Sequence, residues 1–324
     1  VEQINTEALK KKILDLAIRG KLVEQDPNDE PASVLLEKIR AEKEELIQQK
    51  KIKRNKNESY IFKGDDGLYY EKFQDGTVKS IQDEIPFEVP EGWEWVRFSN
   101  VYQLISGQDL SSQKYGINGD IPYITGASNF IKGEIYTDRF TNFPKSIAYK
   151  NDLLITVKGT VGKMATLKYD RVHIARQVMA IRSSKTNLEY IKIFLHRNLQ
   201  EIQNKANSMI PGISRDILLN LLIPMPPTEE IKRILKKYQL IFNQIDLIEN
   251  DQLKLFSMQN KIKDKTLTLA MQGKLIPQDP NDEPASVLLE KIKEEKEKLI
   301  KEGKIKRNKK ESTIIRRGES YYEL

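Results

Sequence analysis

One fifteen-residue phrase occurs twice, residue for residue: Gln25 to Ile39 and Gln278 to Ile292 both read QDPNDEPASVLLEKI. A repeat of this kind organises a chain before any local structure is considered. The match extends outward at one offset, 253 positions, so that Gly20-Lys21-Leu22 returns as Gly273-Lys274-Leu275 and KIKRNK at 51–56 returns at 304–309. Further on, Tyr69-Tyr70-Glu71 is echoed by Tyr321-Tyr322-Glu323. After that echo the first copy runs into a different kind of sequence, whereas the second stops at Leu324. The expected layout is two copies of a helical unit around one central domain, ending where a second central domain would begin.

Each copy reads as helix, turn, helix. Gly20 and Gly273 suit a helix C-terminus, where positive φ is needed. DPNDEP is dense in turn formers, and Pro31 and Pro284 fit the first turn of the next helix. The ASVLLEKI stretch is amphipathic, with Val34, Leu35 and Ile39 on one face and a solvated Glu/Lys face opposite.

A long rod follows Pro226-Pro227. From Glu229 to about Met271 there is no proline or glycine, and apolar residues keep a three-four spacing: Ile231, Ile234, Tyr238, Ile241, Ile245 and Ile248. The same count reaches Gln252, Leu255, Gln259, Ile262, Thr266 and Leu269. Such a seam argues for a coiled coil; about 40 residues give a rod of roughly 60 Å. A long helix packed on its own domain is the alternative, but an a/d stripe is narrow for that. The N-terminal helix is too short to cover the seam alone, so the expected partner is a second copy of the chain, antiparallel.

The central segment, from about Pro86 to Pro227, alternates β-rich stretches with glycine turns. Strands are expected at 93–96, 121–124, 153–157, 164–167 and 178–181, and an amphipathic helix at 188–206 with Tyr190, Ile191, Phe194, Leu195 and Ile202 inward. The fold class is therefore α+β, a mixed α/β domain plus long helical coiled-coil regions.

The chain contains no cysteine and two histidines, His173 and His196, far apart. Thiol catalysis, disulfides and Cys-based zinc sites are excluded, and a His-rich metal site is disfavoured. No apolar run approaches a membrane span, and Val1-Glu2-Gln3-Ile4 opens no signal peptide; a cytoplasmic location is the expectation. The net charge of +7 is compatible with nucleic acid without demanding it. No phosphate-binding loop, dinucleotide loop or amino-methyltransferase motif is present, and Met225-Pro226-Pro227-Thr228 substitutes for none of them. The run Lys158-Gly159-Thr160-Val161-Gly162-Lys163 lies between two strands, which makes it a hairpin rather than a phosphate loop. Its tip offers Lys158, Thr160 and Lys163 either as plain turn residues or as DNA contacts.

Three phrases resemble a known family. The repeat block, the opening Ile85-Pro86-Phe87-Glu88-Val89-Pro90-Glu91-Gly92-Trp93-Glu94-Trp95, and the closing Ile210-Pro211-Gly212-Ile213-Ser214 with Ile223-Pro224-Met225-Pro226-Pro227 are similar to specificity subunits of Type I restriction-modification systems. Thr228-Glu229-Glu230 departs modestly from the family's usual Ala-Glu-Gln. The resemblance implies a helical conserved region at 1–84, a target recognition domain at 85–227, and a spacer helix with the second repeat copy at 228–324. It implies no catalysis and no cofactor in this chain. Modification subunits that bind S-adenosylmethionine would dock on it, and restriction subunits using ATP and Mg would join them.

A full subunit of that family carries two recognition domains, so a chain with one is expected to act as a half-subunit. Its homodimer would read a bipartite site on double-stranded DNA. Candidate readers are Gln108, Lys114, Tyr115, Thr125, Ser128 and Asn129 on loops after the first strands, and Lys158, Thr160 and Lys163 on the hairpin. Arg176 and Gln177 before a strand, and Ser208, Met209 and Arg215 near the closing phrase, complete the set. Candidate dimer-seam residues are Ile234, Tyr238, Ile241, Ile245, Ile248, Gln252, Leu255, Gln259 and Ile262. A coiled-coil scaffold with no DNA role is the alternative function.

Overall fold

The computed structural model describes residues 3–50, 58–205, 212–308, 312, 314–318 and 320–323. The KIKRNK phrase at 51–56, Ser208 and Met209 lie outside the described residues. Two compact units are present, Val1–Gln252 and Leu253–Leu324.

The first unit opens with α1 (Thr6–Ile18), capped by Asn5, whose side chain accepts from Ala8 N–H at 2.9 Å. It stops at Gly20, with φ +66°, and Lys21 N–H closes on Leu16 O at 2.9 Å. α2 (Ala32–Gln48) begins one residue later than the sequence suggests, with Pro31 as its N-cap. Its buried face is Ala32, Leu35 and Ile39. A meander follows: β1 (Ser59–Lys63), β2 (Tyr69–Phe73) and β3 (Val78–Ser80).

β4 (Glu94–Arg97) and α3 (Phe98–Val101) lead into the central domain. Then come β5 (Gln103–Ser106), β6 (Ile121–Ile124), β7 (Phe130–Ile131), β8 (Glu134–Ile135), β9 (Phe140–Thr141) and β10 (Ile147–Tyr149). β11 (Leu153–Thr156), β12 (Met164–Thr166), β13 (Arg171–Ile174), β14 (Val178–Arg182) and α4 (Leu188–Lys205) complete it. α5 (Arg215–Leu219) and β15 (Leu222–Met225) close it, with β15 antiparallel to β4.

Two four-stranded sheets carry the domain, in the orders β10-β13-β6-β9 and β12-β11-β14-β5. Period-two alternation decides what each face of the second sheet meets. Leu154, Val178 and Ala180 join Ile124, Val172 and Ile174 of the first sheet in one core. Leu153, Ile155, Met179 and Ile181 point the other way, into a core with Tyr190, Ile191, Phe194 and Leu195 of α4. All four residues of β11 are therefore buried. The helix expected at 188–206 is α4, and its predicted inward residues, including Ile202, are buried.

α6 (Thr228–Met271) is the 44-residue rod, and its seam behaves differently along its length. In the first unit Ile231, Ile234 and Ile245 are buried within the chain, and Tyr238 packs on the core that contains α4. α1 lies along this stretch: Lys10 Nζ reaches Glu249 at 2.9 Å and Asp246 at 3.2 Å, and Gln252 Nε2 donates to Ile4 O at 3.2 Å. Of the expected seam residues, Ile234 and Ile245 are thus buried and Tyr238 half-buried within the chain itself. Ile241 and Ile248 are half-buried. Leu255, Gln259 and Ile262, in the second unit, are exposed.

The rest of the second unit is α7 (Ala285–Lys301) and the hairpin β16 (Ile314–Arg317) and β17 (Ser320–Glu323). Among the described residues no helix is long and apolar enough to cross a membrane.

Candidate nucleic-acid interface

Strand direction gathers four connections at one end of the two sheets. β6 and β13 are parallel, so the loops leaving them, from Thr125 and from Ala175, start side by side. The second of these crosses to the other sheet and enters β14 at Val178. β11 ends opposite that point, Thr156 against Val178, and β5 ends at Ser106 against Met179. Loops 107–110, 125–129, 157–163 and 175–177 therefore meet.

Backbone contacts lock them together. Gly107 N–H donates to Val178 O at 3.1 Å and Gln108 N–H to Ile174 O at 2.9 Å. Val157 N–H donates to Gln177 O at 2.8 Å, and Ile213 N–H to Val157 O at 2.8 Å. Gly107 has no room for a side chain, since a Cβ would stand 2.0 Å from Ala175 O. Gly126 is similar: a Cβ there would stand 2.2 Å from Gln177 Oε1, and one on Gly159 3.9 Å from it. The Gln177 amide thus occupies a notch between two loops.

Eight of the proposed readers meet at this end: Gln108, Thr125, Ser128, Lys158, Thr160, Lys163, Arg176 and Gln177. They are exposed apart from Thr125, which is half-buried. Their side chains are not equally free. Lys163 Nζ donates to Ala127 O at 3.0 Å and Phe130 O at 3.4 Å, so the hairpin holds the 125–129 loop. Arg176 pairs with Asp109, Nε to Oδ2 at 2.7 Å, and its own N–H donates to Asp109 Oδ1 at 3.1 Å. For Lys158 the structure shows a backbone bridge to Gly212 and an exposed side chain.

Asn129 belongs to the loop's interior. It is buried, its Oδ1 accepts from Thr125 N–H (2.9 Å), Thr125 Oγ1 (3.1 Å) and Gly126 N–H (3.2 Å), and its Nδ2 donates to Tyr136 O (2.8 Å). With its amide occupied this way, it shapes the loop rather than facing outward. Tyr115 packs on the cluster of Leu110, Tyr123 and Ala175, against two of the four loops, and Lys114 beside it is exposed. The Tyr115 ring stands 5.1 Å from that of Tyr123, beneath Arg139. Arg215 Nη1 donates to Leu104 O at 2.7 Å and lines a hollow of about 720 Å³ between α2 and β5.

His173 is the part that residue patterns did not reveal. It is fully buried, stacks on Tyr123 at 4.9 Å, and its Nε2 and Nδ1 each lie 2.9 Å from a carbonyl, of Gln108 and Ser146. Burial pushes the imidazole below its ordinary value, the two carbonyls opposing in part. As a neutral ring it donates from Nε2 to Gln108 O, while Nδ1 accepts from Ser146 N–H at 3.2 Å and Lys145 N–H at 3.3 Å, which clamps it under the 107–110 loop. Asp109 was also missed; its signal was only the turn after Gly107. Among the described residues no cluster of His, Asp and Glu could hold a metal. What the loops offer is a polar and basic rim with amides and hydroxyls, the chemistry of base edges and phosphates.

The profile of the family described as Type I restriction modification DNA specificity domain matches residues 90–255. The chain is 31% identical over 371 residues to the Type I restriction enzyme EcoEI specificity subunit of Escherichia coli, covering 93% of this chain and 57% of that one. It is 30% identical over 362 residues to the EcoAI specificity subunit of the same organism, with the same coverage. The chain thus spans a little over half the length of these curated relatives. A chain from a solved type I R-M system, described for complex assembly and conformational transition, shares its fold. The TM-score is 0.54 at 20% identity, over 83% of this chain and 58% of that one.

Proposed function

Because this chain belongs to the family of Type I restriction-modification DNA specificity subunits, we propose that the four-loop end of its central domain reads a DNA sequence. The carrying observation is the convergence of Gln108, Thr125, Ser128, Lys158, Thr160, Arg176 and Gln177 on one rim, fixed from beneath by glycine contacts and His173. Lys158 and Arg176 supply charge for phosphates, and the amides and hydroxyls supply base-edge donors and acceptors. The chain recognises; it does not catalyse.

Methylation and cleavage then fall to partners. Modification subunits carrying S-adenosylmethionine dock on the helical regions, and restriction subunits bring ATP and Mg. Two recognition domains on one duplex read a bipartite target. A second copy of the chain supplies the other domain, pairing through the part of the α6 seam left open at Leu255 and Ile262.

The test is selection of bound duplexes from a random pool by the purified chain, with affinity followed against salt. One enriched motif and a steep fall of affinity with salt are expected. A flat sequence profile would leave the scaffold reading in its place.

A further inference from the structure

One carboxylate ties two of the four loops together. Asp109 lies on the loop that leaves β5, and Arg176 on the turn that crosses from β13 to β14. Asp109 Oδ1 accepts from the Arg176 backbone N–H at 3.1 Å, and Oδ2 stands 2.7 Å from Nε of the same residue. The acid thus fixes both the place of residue 176 and the direction of its side chain. Neither Nη group of Arg176 makes a hydrogen bond among the described residues, and the side chain is exposed.

The footing of the acid is firm. Gln108, before it, gives its N–H to Ile174 O at 2.9 Å, and its carbonyl accepts from Nε2 of buried His173 at 2.9 Å. Leu110, after it, is buried and donates its N–H to the Tyr123 hydroxyl at 3.3 Å. Arg176 and Gln177 are the corner residues of a tight turn, closed by Val178 N–H on Ala175 O at 2.9 Å. An exposed ion pair between two long side chains is worth little. This pair differs, because the acid is short, both of its chain neighbours are held, and one of its oxygens is spent on backbone. The guanidinium is presented in one direction before any ligand arrives.

The free edge of that guanidinium is a fork of two N–H groups. Two surfaces of a duplex match it: a pair of phosphate oxygens, and O6 with N7 of guanine in the major groove. Adenine, thymine and cytosine present no such pair of acceptors there. The carboxylate decides between the two. It leaves the ion pair without net charge, and at a phosphate it would bring one anion up to another. A base edge carries no charge, and the cytosine opposite a guanine turns an N4 amino donor, not an acceptor, toward the groove. Lys158 on the neighbouring hairpin has no carboxylate beside it among the described residues, as suits a phosphate contact.

We infer that Arg176 reads one guanine of the target through its Nη1–Nη2 edge, with Asp109 as the residue that positions it. Charge alone sends Arg176 to a phosphate, beside Lys158; the carboxylate turns it to a base. The inference rests on the proposed reading of DNA by the four-loop rim. It deepens that reading by naming one base and the side chain that meets it.

The test uses the full chain. Duplexes are selected from a random pool by the unaltered chain, by Arg176→Ala, by Asp109→Ala and by the double variant. The motif of the unaltered chain is then rebuilt with 7-deazaguanine, which lacks N7, at each guanine in turn. At one guanine the unaltered chain is expected to lose about fivefold or more in affinity, and Arg176→Ala should lose its preference at that position alone. Asp109→Ala should weaken the same position and add nothing to Arg176→Ala. A phosphate contact would behave otherwise: Arg176→Ala would keep the motif and lower the salt slope by about one, which overturns the inference. So would a motif in which no 7-deazaguanine matters to the unaltered chain, or in which it matters equally to Arg176→Ala. A loss spread by Asp109→Ala over the whole motif would overturn the positioning role. The 7-deazaguanine series on the unaltered chain stands even where a variant does not fold. A flat profile from the unaltered chain would remove the reading of DNA itself, whereas a motif indifferent to Arg176 removes the guanine contact alone, so the two failures are separable.

Discussion

The indole N–H of Trp93 donates to the Glu230 carboxylate at 2.8 Å, tying the opening turn of the recognition domain to the first turn of the spacer helix. Gln25 of the first repeat completes the carboxylate's shell at 2.7 Å. Three segments far apart in the chain thus share one buried acid.

Burial raises the Glu230 carboxyl above its ordinary 4.5, against the pull of Trp93 and Gln25. The native state therefore holds a proton that the unfolded state has released, and stability falls as pH rises from 4.5 through the raised value. Glu230→Gln keeps an acceptor and should remove this dependence. Glu230→Ala leaves Trp93 and Gln25 without an acceptor and should cost about 1–3 kcal/mol. Thermal unfolding across pH 4 to 8 separates the two.

His173 gives slope on the acid side. Its folded value lies below 6.5 through burial, so below pH 6.5 the unfolded chain takes a proton first and stability falls as pH drops toward the folded value. The slope is at most about 1.4 kcal/mol per pH unit. His173→Asn should flatten it and loosen the 107–110 loop, read by hydrogen exchange at Gln108.

Lys158 and Lys163 should separate by role. Lys158→Ala is expected to lower the salt slope of duplex binding by about one phosphate with the sequence preference unchanged. Lys163→Ala frees the carbonyls of Ala127 and Phe130 and should broaden the selected motif. Identical selection profiles for the two variants would contradict this division.

Two glycine substitutions should rank by what the new methyl meets. At Gly107 it meets backbone, Ala175 O at 2.0 Å and Val178 O at 2.7 Å; at Gly126 it meets the movable end of Gln177. Gly107→Ala should cost about 1–3 kcal/mol or more by overpacking. Gly126→Ala should leave stability nearly unchanged and alter the motif.

The same substitution at the two repeat copies should be unequal. Asp29→Ala breaks the 2.5 Å pair with Arg233 and should cost about 1–3 kcal/mol. Asp282→Ala should stay within about 0.5 kcal/mol in the isolated chain. Denaturant titration of both variants measures the difference.

Local rules carried the sequence far. The repeat, its glycine stop, the strands at 121–124 and 178–181 and the inward face of α4 follow from period and turn chemistry alone. The family was legible from three phrases. What the residues could not say was what covers a face. A three-four stripe on α6 states that Ile234 needs apolar cover, and the core that holds residues of α1 and α4 provides it as well as another chain could. Residue type likewise could not separate Ser128, whose hydroxyl is exposed, from Asn129, whose amide is spent on Thr125, Gly126 and Tyr136. That distinction depends on where a turn closes.

β11 sends Leu153 and Ile155 into one core and Leu154 into another, so it is gripped from both sides. The hairpin at 158–163 hangs from that strand like a bit in a chuck. A lineage can exchange the bit, in length or in residues, while the grip stays closed. Under the DNA reading proposed above, the target would then change by exchanges in this hairpin while the strand beneath it stays as it is.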